Sequence, residues 1–169
     1  MSTPIEALSG SLLDATGQVF QEHGVVLQGP TRCEPALDWL DPIAVIGFGG
    51  DSVRGCVSFE VPWRVLQGSH PMRSTATVDL VDWVGELANL TLGKLKTMLR
   101  RRGVRIQLGL PTTFTVPGAQ SGAMSQAQAQ FRLGSEDGGV RVRLSAEIDS
   151  AFRLAAPQEV EIVSGIDLF

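Results

Sequence analysis

Two patterns alternate along this chain, apolar positions at helical intervals and short apolar runs closed by Gly/Asp turns, and together they predict its elements. From Pro4 to His23, Leu8, Leu12, Leu13 and Val19 or Phe20 recur roughly at the helical period, and Gly24 stands where that helix would stop. Val25 to Leu27 reads as a short strand, Pro30 to Pro42 as a Pro- and Asp-punctuated connection, and Ile43 to Phe48 as a buried strand. After the turn Gly49 to Ser52, the alternation Val53, Gly55, Val57, Phe59 returns the chain as the partner of a hairpin. Pro62 opens a short helix that runs to Gln67.

The clearest signal spans Asp79 to Gly103, where Val84, Leu87, Ala88, Thr91, Leu95, Met98 and Leu99 form a core-facing stripe of helical period. Arg100, Arg101 and Arg102 close its last turn against the helix dipole, and Gly103 suits a left-handed cap. Val104 to Leu110 then reads as a strand stopped by Pro111. Residues 117–128, rich in Gly, Ala, Ser and Gln, read as a flexible connection. Phe131 to Leu133 and Val140 to Ile148 read as strands flanking the turn Gly134 to Gly139. The two long helices echo each other when His23-Gly24-Val25 is laid on Arg102-Gly103-Val104. In that register Glu86 and Asn89 fall on Ala7 and Gly10, so only the second half carries polar groups there.

The size, 169 residues with 43% apolar and 19% charged, suits one domain over residues 1–163 with a short acidic-hydrophobic tail, residues 164–169. A net charge of −4 supplies no electrostatic attraction for nucleic acid or an anionic membrane. The opening MSTPIEALSG lacks the regions of a secretory signal, and no apolar run approaches membrane-spanning length, so a cytoplasmic protein is expected. Cys33 and Cys56 are too few for a disulfide scaffold or a cysteine-based zinc site.

Most chemical candidates read blandly. His23 and His70 have no motif linking them to a nucleophile or a metal. Gly47 to Ser52 fails the dinucleotide fingerprint because Ser52 occupies its last glycine. The carboxylates Asp79, Asp82 and Glu86 could be drawn as a metal site, but acidic residues in a helix's first turns are what the dipole favours, and Trp39, Trp63 and Trp83 are not interleaved with basic side chains.

The long helix differs. Asp82, Glu86, Asn89 and Gly93 are spaced four, three and four apart, which lines them on one face opposite the apolar stripe, with Gly85 four before Asn89. Each mid-helix glycine costs about 1 kcal/mol relative to alanine, so local propensity is overridden at Gly85 and Gly93. Two explanations stand: the glycines clear a surface for another molecule, or they accommodate a neighbouring strand while Glu86 and Asn89 are simply solvated.

Asp82-x3-Glu86-x2-Asn89, followed after 21 intervening residues by Pro111, resembles the signature of the CheC/CheX/FliY chemotaxis phosphatases. IAVIGFGGDSVRGCVSFEVP is similar to that family's preceding hairpin and GVRIQLGLP to its following strand, so the resemblance covers Ile43 to Pro111. The gap before the proline is one residue longer than usual, a difference assigned to the turn at Gly103. A single Glu/Asn pair resembles the CheX-like branch. The resemblance implies an α/β (α+β) sandwich, two long helices on an extended, largely antiparallel sheet. It also implies a phosphatase acting on the aspartyl phosphate of a CheY-type response regulator. In that reading Asn89 orients the attacking water, Glu86 pairs with the receiver lysine, and Asp82, Gly85 and Gly93 belong to the docking face. The protein needs no cofactor of its own, because the receiver supplies Mg²⁺. A homodimer is compatible with the resemblance and with open sheet edges. The competing readings are a non-catalytic adaptor that binds a receiver and a flagellar-switch-related module.

Overall fold

The computed structural model describes residues 3–32, 41–115 and 127–156. Trp39, Cys33 and the tail 164–169 lie outside the described residues, as does most of the Gly/Ser/Gln-rich connection. Helix α1 spans Pro4–Glu22, and a capping box starts it. The Glu6 amide donates to Thr3 Oγ1 at 3.4 Å and the Thr3 amide donates to the Glu6 carboxylate at 2.8 Å. These bonds hold the Glu6 carboxyl below its ordinary value. Leu8, Leu12, Ala15, Val19 and Phe20 form the buried face.

Strand β1 (Gln28–Arg32) follows, then the hairpin β2 (Ile43–Gly49) and β3 (Val53–Glu60), a short helix α2 (Trp63–Ser69) and the long helix α3 (Thr77–Arg101). Strands β4 (Gln107–Leu108) and β5 (Thr112–Phe114) precede a second hairpin, β6 (Ala127–Ser135) and β7 (Gly138–Ile148). All pairings are antiparallel, in the order β1-β6-β7-β3-β2-β4 with β5 also on β2. Ala44, Ile46 and Phe48 of β2, Val57 and Phe59 of β3, and Val140, Val142 and Leu144 of β7 point to one face of the sheet. There they form a single core with the apolar stripes of α1 and α3. The result is the expected α+β sandwich, with α1 on β6 and β7, and α3 chiefly on β2 and also on β3, β4 and β5.

The echo between the helices is real in its details. The Gly24 amide bonds to Gln21 O at 3.1 Å and the Val25 amide to Phe20 O at 2.9 Å; Gly103 bonds to Arg100 O at 3.2 Å and Val104 to Leu99 O at 2.9 Å. Both glycines take the left-handed conformation, φ +80° and +82°, so each helix ends in the same Schellman cap. The sheet completes the symmetry with an exchange. The strand after α1 pairs with the later hairpin, β6–β7, and the strands after α3 pair with the earlier one, β2–β3.

These caps correct two expected strands. Val25 and Val104 are buried as the apolar closing residues of the caps, so β1 starts at Gln28 and β4 at Gln107, each three residues later. A second correction concerns Pro111, which interrupts the strand without ending it. Phe48 pairs with Leu108 and Val45 with Thr112, leaving Gly109, Leu110 and Pro111 opposite only Ile46 and Gly47. Three residues thus stand opposite two in a β-bulge, while the cap at Gly103 repeats that at Gly24. β6 also begins earlier than Phe131, because β7 offers partners back to Ala127.

One core feature carries a stability prediction. Thr91 is fully buried in α3, and its hydroxyl has no partner among the described residues. Thr91→Val replaces that hydroxyl by a methyl of the same shape and is expected to raise unfolding free energy by about 1 kcal/mol in urea denaturation.

Candidate functional site

The start of α3 is held by a small network. The His70 imidazole accepts the Met72 and Ser74 amides on Nδ1 at 3.2 and 3.4 Å, and the Ser74 hydroxyl donates to Asp79 at 2.5 Å. The Trp83 indole donates to Ser69 Oγ at 2.9 Å and lies between the rings of His23 and His70, 5.0 and 5.5 Å away. Both histidines and Asp79 thus brace the loop and helix that present the site. Trp83 is buried, as expected of a core or boundary residue, and Gly47 to Ser52 is the end of β2 followed by the hairpin turn at Gly50 to Ser52.

Leu80, Val84, Leu87, Ala88, Leu95 and Leu99 turn into the core, which fixes the rotation of α3 and directs its other face to solvent. Asp82, Glu86 and Asn89 are all exposed on that face. Among the described residues none of the three side chains makes a hydrogen bond or ion pair. A carboxylate and an amide one helical turn apart are therefore held by a rigid backbone with their polar atoms unspent.

The two glycines part company. Gly93 is half-buried, and a Cβ there would meet nothing within 4 Å among the described residues. Gly85 is buried, and a Cβ there would sit 3.0 Å from Thr113 Cγ2 and 3.9 Å from Pro111 Cβ. The clearance at Gly85 is occupied by the protein's own β5, which corrects its expected place on the docking face. Accommodation of a neighbouring strand is the explanation realised at Gly85, while at Gly93 no described atom stands where a Cβ would go.

Sequence reasoning missed Leu110, which it placed inside a strand. It stands at the bulge with 89% of its surface exposed, next to the Pro111 that touches Gly85. The bulge is a register mismatch between two pairings on β2, which no local pattern carries. Cys56 is half-buried, and desolvation pushes its thiol up from the ordinary range, away from nucleophilic use.

A scan against family models and a search of curated proteins both give no match. Solved structures do match. The CheX protein of Desulfovibrio desulfuricans superposes with a TM-score of 0.71 at 18% identity, covering 83% of this chain and 99% of that one. The fold is that of the CheC/CheX chemotaxis proteins. A CheC-like superfamily protein from Shewanella gives 0.72 at 18% identity, over 87% and 99% of the two chains. CheX of Borrelia burgdorferi, in a complex with CheY, BeF3 and Mg²⁺, gives 0.62 at 14% identity, over 82% and 96%. The CheC/CheX fold thus accounts for nearly the whole of each matching chain. No helix among the described residues is long and apolar enough to cross a membrane.

Proposed function

We propose that this protein is a CheX-like phosphatase that hydrolyses the aspartyl phosphate of a CheY-type response regulator. The observation that carries the reading is the exposure of Glu86 and Asn89, uncommitted, on the solvent face of α3 in a CheC/CheX fold. The CheX–CheY complex of the same fold supports a receiver domain as the partner.

The chemistry asks little of the phosphatase. Water must attack phosphorus in line as the bond to the aspartyl oxygen breaks and the carboxylate leaves. The receiver brings Mg²⁺ and a lysine that hold the phosphoryl oxygens, so this chain needs no metal of its own. Asn89 projects into the receiver's site, and its amide, both donor and acceptor, fixes the water on the attack line. Glu86, about one turn away, pairs with the receiver lysine and sets the docking register. Asp82 extends the acidic edge of the contact, and the open surface at Gly93 lets the partner approach.

Gly93 offers a check on that last role. Gly93→Ala is expected to stabilise the helix by about 1 kcal/mol, since nothing opposes the new methyl. Gly93→Trp is expected to fold equally well and to weaken receiver binding about tenfold by blocking approach, as read by titration.

The primary test follows phosphorylated CheY-type receivers as they decay with and without the protein. Acceleration of at least one receiver is expected. Decay equal to buffer across a broad panel, with binding retained, would leave a receiver-binding adaptor in place of the phosphatase.

A further inference from the structure

Leu110 is a large apolar side chain almost fully exposed on a segment that is not loose. The Gly109 amide bonds to Gly47 O at 2.9 Å on one side of it, and β5 resumes pairing with β2 at Thr112 on the other. A bulge there re-aims one side chain out of the ladder, and the side chain it re-aims is a leucine. Leaving it in water opposes solubility with no gain to the fold, because Leu110 is absent from the core contacts.

Its position relative to the polar pair is set by the helix. At about 100° per residue, Gly85 lies about 40° beyond Asn89 on the side away from Glu86, and Leu90 lies about 40° beyond Glu86 on the opposite side. Gly85 faces Pro111 and Thr113, so the bulge borders the Asn89 flank. Leu90, 37% exposed, borders the Glu86 flank, beyond which Lys94 of α3 pairs with Glu22 of α1. The polar pair is therefore framed by two exposed leucines, one on the bulge and one on the helix.

We infer that Leu110 and Leu90 are the apolar anchors of the receiver-docking surface, separate in function from the Glu86/Asn89 pair between them. The inference rests on the proposed function and adds the source of affinity. Polar groups between apolar anchors lose competing water when the anchors seat, which strengthens the Glu86 contact and so adds to affinity. The occupant is the receiver, since the patch is continuous with the polar pair that would enter its phosphorylation site.

The test titrates native protein, Leu110→Ser, Leu90→Ser and the double variant against a beryllofluoride–Mg²⁺-loaded CheY-type receiver. In parallel, the dephosphorylation rate is measured at saturating protein. Each single variant is expected to weaken binding about five- to tenfold, the double about 50-fold, with the saturating rate unchanged and Leu110→Met close to native. Leu110→Ser should melt with the native protein, because Leu110 is 89% exposed. Leu90→Ser, at a mid-helix residue only 37% exposed, is expected to melt a few degrees lower, and its affinity is read well below that temperature. Unchanged affinity in both single variants, with an active native protein, overturns the anchors alone. A native protein that neither binds nor accelerates any receiver overturns the proposed function and the anchors with it. Self-association of the native protein that Leu110→Ser abolishes, with receiver affinity unaltered, assigns the face to a second copy and overturns the inference.

Discussion

Asn89→Ala is expected to slow receiver dephosphorylation by about a hundredfold or more while leaving receiver affinity within about threefold. The separation follows from where the residue sits. Its amide is exposed, has no partner among the described residues, and contributes nothing to the core. Asparagine is also a poor helix former, so alanine at this position should stabilise α3 by a few tenths of a kcal/mol. Loss of rate in a protein that is at least as stable as native cannot be charged to unfolding. The expected loss is specific to one event, the placing of a water in line with the bond that breaks. Asn89→Asp should fail as well, because a carboxylate cannot donate to the water and repels the phosphoryl oxygens. Single-turnover decay of a phosphorylated receiver at saturating protein reads the effect directly, and a rate equal to native in either variant would remove Asn89 from the mechanism.

The parts of this molecule that were legible in its sequence are those where one periodicity dominates. The stripe from Val84 to Leu99 sets the rotation of α3, and with it the exposure of Asp82, Glu86 and Asn89 on the other side. The hairpin β2–β3 and both Schellman glycines followed from equally local signals. What was not legible depends on neighbours distant in sequence. β1 is exposed at all five positions and contains Pro30, so it carries no alternation, and only its pairing with β6 makes it a strand. Val25 and Val104 look like strand residues because apolar character alone does not separate a cap's closing residue from a strand's first one. Gly85 and Gly93 present the same local violation of helix propensity. Whether a strand or open solvent stands above each is decided by β5, which arrives from beyond the helix. The bulge at Leu110 is a register mismatch between two pairings, a quantity that exists only after the sheet is formed.

Glu86→Lys is expected to reduce receiver affinity about a hundredfold, against about tenfold for Glu86→Ala. The difference isolates electrostatics from contact. Truncation leaves the receiver lysine without its partner, whereas the reversal sets two cations against each other across a surface that excludes water. Neither change disturbs the fold, since Glu86 is exposed and makes no ion pair among the described residues, and lysine is a good helix former. The native affinity should fall as ionic strength rises, and that dependence should shrink in Glu86→Ala because the charge pair it reports is gone. A charge exchange gives the decisive measurement: Glu86→Lys paired with a receiver whose active-site lysine is replaced by glutamate. That receiver lacks one phosphoryl ligand, so its hydrolysis is compromised, and binding of the unphosphorylated form is the proper readout. Recovery of at least tenfold in affinity relative to Glu86→Lys with the native receiver is expected. No recovery would mean that Glu86 meets some other group, and the docking register built on it would have to be abandoned even if Asn89 proved essential.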